Sequence, residues 1–435
     1  MTLKEHISKH IVLAIPVVIG QLGHIMVTLA DSMMVGRVGV IPLAAATFAG
    51  TFHHILLLFG IGVSYAITPL VAATAPGDRP KILGFLQNGL FVNIGLALLL
   101  VILGLFASNF LHLFGQEEAV ARAAKPYVII ICSSIFPILV FQTFRQFLEG
   151  QSDTLSPMIV SIAANLLNVG LNYVMIYGKF GFPAMGLVGA GYATLISRIV
   201  MALLIIWFSR KKTSGFKWQF DLEVSKRLLK IGIPSGMQYV FEVGAFATAA
   251  IMVGWISAEA LAAHNIALNL AAVTYMASTG VAAASTIRIG NQMGKKDKKN
   301  LRVAGFSAFG MVVVFMAFCG VLFILLRNIL PGWYIDNEEV KSIASTLLVF
   351  AAAFQISDGS QAVGLGVLRG LTDVKIPTLA TFIAFWLISI PLGYFLGFTA
   401  GWGVNGIWTA ICAGLTVASV FHLWRFNYLT KRLEF

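Results

Sequence analysis

The sequence is poor in charged residues, which make up only 11% of its 435 residues, whereas 58% are hydrophobic. A soluble domain needs more polar surface than this to cover its core in water. The composition therefore excludes an ordinary soluble protein and indicates a chain solvated by lipid. The net charge of +12 does not indicate a nucleic-acid partner, because the basic residues lie in short loops between apolar segments.

Cysteines and enzyme motifs are also scarce. Cys132, Cys319 and Cys412 each stand alone in an apolar segment, so the sequence supports neither a disulfide framework nor a cysteine metal site. The sequence contains no Gly-x-x-x-x-Gly-Lys, His-Glu-x-x-His or Gly-x-Ser-x-Gly motif. We therefore expect a protein that is not an enzyme, that needs no cofactor, and that is driven by an ion gradient.

Twelve apolar segments between residues 11 and 426 are each long enough to cross a bilayer, for which a helix needs about 20 residues. An even number of spans places both termini on one side, and most lysines and arginines fall in the loops of that side. The other side has only Arg37, Arg122, Lys125, Lys179, Arg327 and Lys341. The positive-inside rule therefore predicts an integral protein of the cytoplasmic (inner or plasma) membrane, with both termini in the cytoplasm.

The two halves of the sequence resemble each other. Shifts of 218 or 220 positions align Ile15-Pro16 with Ile233-Pro234, Gly62-Val63 with Gly280-Val281, Gly150 with Gly370, and Asp153 with Asp373. Repeats of six spans each have the same orientation in the membrane. The sequence thus predicts an all-α polytopic membrane protein with twelve transmembrane helices in two pseudo-twofold-related six-helix bundles. The predicted lobes are residues 1–215 and 216–435, with a central cavity between them.

Three carboxylates interrupt predicted spans: Asp31 in the first, Glu242 in the seventh and Asp358 in the tenth. A charge at membrane depth costs roughly 3 kcal/mol on insertion scales, so such residues are candidates for a functional site. We interpret them as cation-binding or proton-binding groups that face an internal cavity. The alternative is a set of neutral carboxyl groups that are hydrogen-bonded between helices. Protons and cations compete for the same carboxylates, so either ion is a candidate for coupling.

Basic residues are not expected beside these carboxylates. Arg145, Arg198, Arg288 and Arg369 are placed at or near the ends of predicted spans, where none is an obvious partner. The interior of the membrane domain therefore carries an acidic excess. Such an excess favours cationic cargo.

Other polar residues in the spans give weaker signals. Asn168 and Asn172 lie four residues apart and share a face of the predicted fifth span. They either contact an ion or substrate or form hydrogen bonds between helices. His264 and Asn265, near the start of the eighth span, are candidates for a polar relay or for packing.

Several motifs resemble the multidrug and toxic compound extrusion (MATE) family, and they extend over essentially the whole chain. They are Asn168-Val169-Gly170-Leu171-Asn172-Tyr173, Ala262-Ala263-His264-Asn265-Ile266-Ala267-Leu268-Asn269, Ser285-Thr286-Ile287-Arg288-Ile289-Gly290 and Leu368-Arg369-Gly370-Leu371-Thr372-Asp373. Two further motifs, Phe241-Glu242-Val243 and Ser357-Asp358, look like the acidic positions of the NorM branch of this family.

The resemblance implies a V-shaped pair of six-helix lobes that exchange Na+ or H+ for small cationic amphipathic compounds. It implies that Glu242 and Asp358 match the cation-binding carboxylates of the C-terminal lobe, where Na+ is a candidate ligand. Phe354 lies four residues before Asp358, at a position where NorM relatives can carry tyrosine. The coupling ion therefore stays open.

In the N-terminal lobe, the resemblance implies that Asp31, Asn168, Asn172 and Thr194 match a polar site. We expect a monomer whose partners are its small cationic amphipathic substrates and membrane lipid, with no nucleic acid.

These features favour a multidrug antiporter that works by alternating access. A lipid-linked saccharide flippase of a related fold is the alternative function, although its anionic substrates would favour arginine or lysine in the core. A passive channel is a third interpretation, which the duplicated lobes disfavour.

Overall fold

The computed structural model of the chain, which describes residues 2–111 and 117–434, contains twelve helices long and apolar enough to cross a membrane. This confirms the predicted all-α class. The helices are α1 (Leu3–Gly36), α2 (Val40–Ala72), α3 (Arg79–Ala107), α4 (Glu118–Gly150), α5 (Leu155–Tyr177), α6 (Gly186–Ser209), α7 (Leu222–Gly254), α8 (Ala258–Gly294), α9 (Lys298–Leu326), α10 (Glu338–Gly370), α11 (Lys375–Thr399) and α12 (Val404–Arg432).

The helices α3 and α9 begin in the same way in the two halves. Asp78 precedes α3 and accepts a hydrogen bond from the backbone N–H of Lys81 at 3.4 Å. Asp297 precedes α9 and accepts one from the backbone N–H of Asn300 at 3.0 Å. An aspartate at this position satisfies one of the free N–H groups of the first helical turn.

The chain packs into two compact units that differ slightly from the two halves of the sequence. One unit is Ile19–Gly236, which we call the N-terminal unit. The other, the C-terminal unit, combines Met1–Val18 with Met237–Phe435. Packing places residues 216–236 with the N-terminal unit and Met1–Val18 with the C-terminal unit. The predicted lobes 1–215 and 216–435 describe the sequence repeat and stay a prediction.

The start of α1, up to Val18, and the start of α7, up to Gly236, each pack with the unit of the other half; we call them the reassigned helix starts. Both fit closely into the units that they join. In the N-terminal unit, a Cβ atom on Gly62 of α2 would lie 2.5 Å from the Cα atom of Gly236 at the end of the reassigned segment. In the C-terminal unit, a Cβ atom on Gly280 of α8 would meet the side chain of Val18. Both pairs of positions are related by the shift of 218 residues. The same helix crossing is therefore present in both units.

A second contact in the N-terminal unit joins α4 to α2. A Cβ atom on Gly150 would lie 2.7 Å from the Cβ atom of Val71, so only glycine fits there without displacing its neighbour. One helical turn earlier, the hydroxyl of Thr68 lies within hydrogen-bond distance of two oxygens of Gln146, the side-chain oxygen at 2.6 Å and the backbone carbonyl at 3.1 Å.

The C-terminal unit has the same contact between α10 and α8. A Cβ atom on Gly370 would lie 2.6 Å from the Cβ atom of Ile289. The hydroxyl of Thr286 donates to the carbonyl of Gly366 at 2.8 Å. The repeat seen in the sequence thus corresponds to repeated helix contacts.

Helix α11 departs from its counterpart in the repeat. It is π-helical over Ile383–Ser389 and Phe395–Thr399, whereas α5 is α-helical throughout. Pro391 lies between the two π-helical segments and has no N–H to donate, which removes one hydrogen bond of the helix. Short π-helical segments inside α-helices often occur at functional sites.

Candidate functional site

The C-terminal unit places the predicted carboxylates Glu242 and Asp358 in the interiors of α7 and α10, where they are only 8% and 6% exposed. Glu242 accepts a hydrogen bond at Oε1 from the hydroxyl of Tyr275 (3.1 Å) and one at Oε2 from the amide of Gln361 (3.3 Å). Gln361 lies one helical turn after Asp358 on α10, so its hydrogen bond to Glu242 places the two carboxyl groups in one cluster.

Three kinds of oxygen are available in this cluster. Asp358 accepts no hydrogen bond from the described residues, so both of its oxygens are free to bind a cation or a proton. The amide oxygen of Gln361 is buried without a partner, and the phenol oxygen of Tyr275 lies beside Glu242. Carboxylate and neutral oxygens are the ligands that hard cations prefer. The residues present therefore fit a bound Na+ ion as well as a proton.

Basic residues are absent from this cluster. No lysine or arginine of the described chain forms an ion pair with Glu242 or Asp358. Arg288, in the last three turns of α8, donates instead to the imidazole of His6 at 2.7 Å. Within the parts of the chain that the structure describes, no group of three or more His, Cys, Asp or Glu side chains is placed to hold a metal ion. The cluster therefore carries an unpaired acidic excess without resembling a transition-metal site.

Aromatic side chains contact both carboxylate-bearing helices. The indole of Trp386, in the first π-helical segment of α11, donates to the carbonyl of Phe241 at 2.9 Å, directly beside Glu242. Phe354 is 2% exposed and stacks on Trp408 with ring centroids 5.7 Å apart. The position where relatives can carry a tyrosine hydroxyl is thus filled by an aromatic ring that packs in the core.

The structure separates the side chains of His264 and Asn265. His264 is fully buried and accepts a hydrogen bond at Nδ1 from the indole of Trp408 at 3.0 Å, whereas Asn265 is exposed. Neither residue has a hydrogen bond to Glu242 or Asp358. These contacts favour the packing interpretation for His264.

The N-terminal unit joins the predicted polar residues in one chain of hydrogen bonds. The amide nitrogen of Asn172 donates to the carboxylate of Asp31 and, at 3.2 Å, to the side-chain oxygen of Asn168. Asn168 donates to the hydroxyl of Ser197 at 3.4 Å, and Ser197 donates to the backbone carbonyl of Thr194 at 2.9 Å. Thr194 therefore takes part through its main chain, and Ser197 is a member that the sequence interpretation missed.

Arg198 corrects one expectation from the sequence. Helix α6 runs from Gly186 to Ser209, so Arg198 lies near its middle and not at a span end. Its Nη1 group donates to Nε2 of His53 at 3.1 Å and to the hydroxyl of Ser134 at 2.7 Å. The charges of Arg198 and Asp31 act on each other. The N-terminal unit therefore has a basic residue within electrostatic reach of its carboxylate, whereas among the described residues of the C-terminal unit no lysine or arginine acts on Glu242 or Asp358.

Outside the spans, each unit has an aspartate shortly after the end of one helix, the fourth span in the N-terminal unit and the tenth span in the C-terminal unit. Asp153 accepts hydrogen bonds from Lys212 at 2.6 Å and from Ser156. Burial disfavours the charged form of Asp153, but the hydrogen bonds from Lys212 and Ser156 outweigh burial and lower its pKa. Asp373 at the equivalent position accepts from Arg425 of α12 at 2.8 Å.

Other signals in the sequence point to the missed ligands. Gln361 lies three residues after Asp358, on the same face of α10, and Ser197 lies three residues after Thr194. Tyr275 has no such spacing to Glu242, because the two residues lie on different helices. Only the packing of α7 against α8 brings them together.

Comparison with known proteins supports the same family. A family model described as MatE matches residues 16–174 and 234–395, two segments whose starts are 218 residues apart. The multidrug resistance protein MdtK of Photorhabdus laumondii is 34% identical over 434 residues, which cover 97% of this chain and 95% of that protein. A probable multidrug resistance protein NorM of Agrobacterium fabrum is 33% identical over 441 residues, with coverages of 98% and 95%.

Solved structures are similar in fold at lower identity. The crystal structure of the eukaryotic MATE transporter AtDTX14 matches with a TM-score of 0.87 at 19% identity, covering 99% of this chain and 97% of that one. An outward-facing multidrug resistance MATE transporter of the MOP superfamily matches with a TM-score of 0.87 at 20% identity, covering 98% and 97%. These likenesses confirm the predicted fold.

Proposed function

The chain belongs to the MatE family, and from that premise we propose that it is a secondary active multidrug efflux transporter of the NorM type. It is an integral membrane protein of a transporter family and not an enzyme. The proposed reaction is exchange of Na+ or H+ for cationic amphipathic organic compounds. The observation that carries this proposal is the buried pair Glu242 and Asp358, which has no ion pair with a lysine or arginine of the described residues.

Glu242 and Asp358 are the proposed binding groups of the coupling ion. Tyr275 and Gln361 donate hydrogen bonds to Glu242 and so fix the direction in which its oxygens point. The oxygen atoms of Tyr275 and Gln361, together with the free carboxylate of Asp358, supply further ligands for a cation. Asp31 is the proposed third cation-binding group, held by Asn172, in the N-terminal unit.

Coupling follows from competition for the carboxylates. An ion that binds one access state more tightly than the other shifts the equilibrium toward that state, by no more than its differential affinity. We propose that the external ion binds the carboxylates as the organic cation leaves, and that the ion is released to the cytoplasm before the next cation binds. Two positive charges then do not occupy the cluster together.

The proposed setting is the cytoplasmic membrane, with both termini in the cytoplasm and the chain acting as a monomer. The basic residues concentrated on the side of the termini support this orientation.

The test is efflux of a fluorescent organic cation, such as ethidium, from proteoliposomes under separately imposed Na+ and H+ gradients. We expect at least one of the two ion gradients to drive the dye against its own concentration gradient. Collapse of that ion gradient should stop the transport. Dye flux that ignores both gradients would contradict the proposal. Translocation of a lipid-linked headgroup without any dye flux would favour the flippase instead.

A further inference from the structure

The irregular segment between α6 and α7, residues 211–221, carries exposed aromatic side chains; we call it the connecting segment. Phe216, Trp218 and Phe220 occupy alternate positions in it. Trp218 is 66% exposed and Phe220 is 58% exposed. The rings of Phe216 and Trp218 contact each other edge to face, with centroids 5.2 Å apart. The three side chains thus form one aromatic surface at the edge of the N-terminal unit.

The connecting segment is held alongside α3, within the same unit. Arg79, in the first turn of α3, donates a hydrogen bond to the backbone carbonyl of Ser214 at 2.9 Å. Asn88, nine residues later, accepts one at its side-chain oxygen from the backbone N–H of Asp221 at 2.7 Å. A rise of 1.5 Å per residue separates these two contacts by about 14 Å along the helix. The segment therefore follows α3 from its start toward its middle.

Phe91 of α3 fixes the position of the aromatic surface. Its ring contacts Trp218 and Phe220 edge to face, with centroids 5.4 Å and 5.5 Å apart. Phe91 lies ten residues after Lys81, the last charged residue of α3. The exposed faces of Trp218 and Phe220 are therefore beside the apolar part of a span, where they meet lipid when α3 crosses a bilayer.

The main chain of the segment limits how deep it lies. The backbone N–H groups of residues 217–220 form no hydrogen bond with the residues that the structure describes. Irregular backbone is not found exposed to hydrocarbon, because its polar groups would have no partners there. Water and headgroup oxygens supply such partners at the membrane boundary, where tryptophan is also enriched. The boundary between headgroups and acyl chains satisfies both the rings and the backbone.

Basic side chains beside the aromatic surface lack acidic partners. Arg210, Lys211 and Lys217 are exposed and form no ion pair with a described residue. The guanidinium of Arg210 lies 4.7 Å from the ring centre of Trp207, in the last turn of α6. Asp221 instead accepts backbone N–H groups of the first turn of α7. The free positive charges complement headgroups with a net negative charge.

We propose that the connecting segment is a membrane-interface anchor that binds anionic phospholipids. Trp218 and Phe220 lie between headgroups and acyl chains, and Lys211 and Lys217 contact the lipid phosphates. Lysine suits this role because its long apolar stem lets the charged end reach the headgroups while the stem stays beside the rings. The anchor does not depend on the proposed efflux function.

The experiment locates Trp218 with phospholipids whose acyl chains carry bromine, which quenches tryptophan on contact. The full-length protein is reconstituted in vesicles of equal amounts of phosphatidylcholine and phosphatidylglycerol. Bromine is placed on one lipid or on the other, so the surface charge of the vesicles stays the same. The fluorescence that Trp218→Phe removes is the signal of Trp218. We expect both brominated lipids to quench this signal, and brominated phosphatidylglycerol to quench it more.

The lysines are tested by the ratio of the affinities for phosphatidylglycerol and phosphatidylcholine, obtained from the two quenching series. Each variant is made with and without Trp218. Lys217→Gln is expected to lower the ratio about fivefold, as for the loss of one lysine near an anionic surface, and Lys211→Gln should act in the same direction. Lys179→Gln removes an exposed lysine between α5 and α6 of the same unit and should leave the ratio unchanged.

Several results would overturn this assignment. They are equal affinities of wild type for the two lipids, and an equal fall of the ratio in Lys179→Gln. A Trp218 signal that neither lipid quenches would also overturn it. Quenching by aqueous acrylamide would then show that water meets the surface, and protection from acrylamide would show that a protein covers it. Failure of the efflux function would leave all these measurements unchanged, because none of them needs an ion gradient.

Discussion

In the C-terminal unit, Glu242 and Asp358 share a buried cluster with phenol and amide groups and no basic partner, whereas in the N-terminal unit Asp31 lies within reach of the charge of Arg198. The shift of 218 residues that aligns the glycine crossings also places His24 on Glu242. The two units thus repeat the contacts that set helix packing and do not repeat the polar groups.

The largest expected effect comes from removing the carboxylates of the C-terminal unit. Glu242→Gln and Asp358→Asn are each expected to abolish gradient-driven dye efflux, because each removes a charge that the coupling ion needs. The measurement is initial efflux rate in proteoliposomes with equal amounts of folded protein. Glu339→Gln, which alters an exposed carboxylate at the start of the same helix as Asp358, is the control. Normal efflux in both site variants would remove these residues from the site.

A smaller effect is expected from the carboxylate of the N-terminal unit. Asp31→Asn leaves Glu242 and Asp358 intact, so we expect dye efflux to weaken while its dependence on the ion gradient persists. The same efflux assay provides the measurement. Complete loss of coupling in Asp31→Asn, equal to that of Glu242→Gln, would contradict the difference between the two units.

The hydroxyl of Tyr275 should tune the ion site without abolishing it. Tyr275→Phe removes one hydrogen bond to Glu242, which is worth about 1 kcal/mol, so we expect the apparent affinity for the coupling ion to change about fivefold. Titration of the driving ion in the efflux assay measures this change. Tyr394→Phe, at an exposed position of α11, is the matched control, and an equal change there would show that the effect is not specific to Glu242.

The repeated glycine contact tests what the units share. Gly150→Ala and Gly370→Ala each place a Cβ atom against a close neighbour, and overpacking of this kind costs about 1–3 kcal/mol. We expect both variants to lower the melting temperature by similar amounts. Gly170→Ala in α5 has open space around the new Cβ atom and should not lower it. A large drop for one unit alone would show that the contacts are not equivalent.

The smallest expected effect is a pH dependence of stability at Asp153. Its pKa is lowered in the folded protein, so its contribution is present above the pKa of an unfolded aspartate, about 3.9, and is lost as the pH falls through the folded value. Near neutral pH, the free energy of unfolding of wild type should exceed that of Asp153→Asn by about 1 kcal/mol or less, which the melting temperature reports as a small increase. The difference should vanish in acid, and a difference that grows in acid would contradict this assignment.

Hydropathy and the repeat were sufficient to predict the fold. The length of the apolar segments is enough to identify the spans. Gly150 and Gly370 occupy equivalent positions in the repeat, and at each position a neighbouring side chain leaves no room for a Cβ atom. The carboxylates were also found directly, since a charge in an apolar run is visible in the sequence. The sequence does not predict that Tyr275 contacts Glu242. This contact depends on how α8 is rotated about its axis, and the apolar pattern does not fix that rotation in a helix that is apolar on all sides.

Arg198 illustrates a different limit. Its depth follows from the ends of α6, which place it near the middle of the helix, whereas the sequence analysis expected it at or near a span end. Its partners His53 and Ser134 come from two other helices, so only tertiary structure shows that they leave most of its donors free.

The reassigned helix starts have a consequence for synthesis of the protein on the ribosome. The N-terminal unit closes only when residues up to Gly236 have emerged, although its six spans end at Ser209. Met1–Val18, made first, waits for α8 and the start of α9 in the second half, which supply contacts for Val18 and His10. Neither unit can therefore fold completely before translation has passed the midpoint of the chain. A gene that is split to yield a complete N-terminal unit must be cut after codon 236 and not after codon 215.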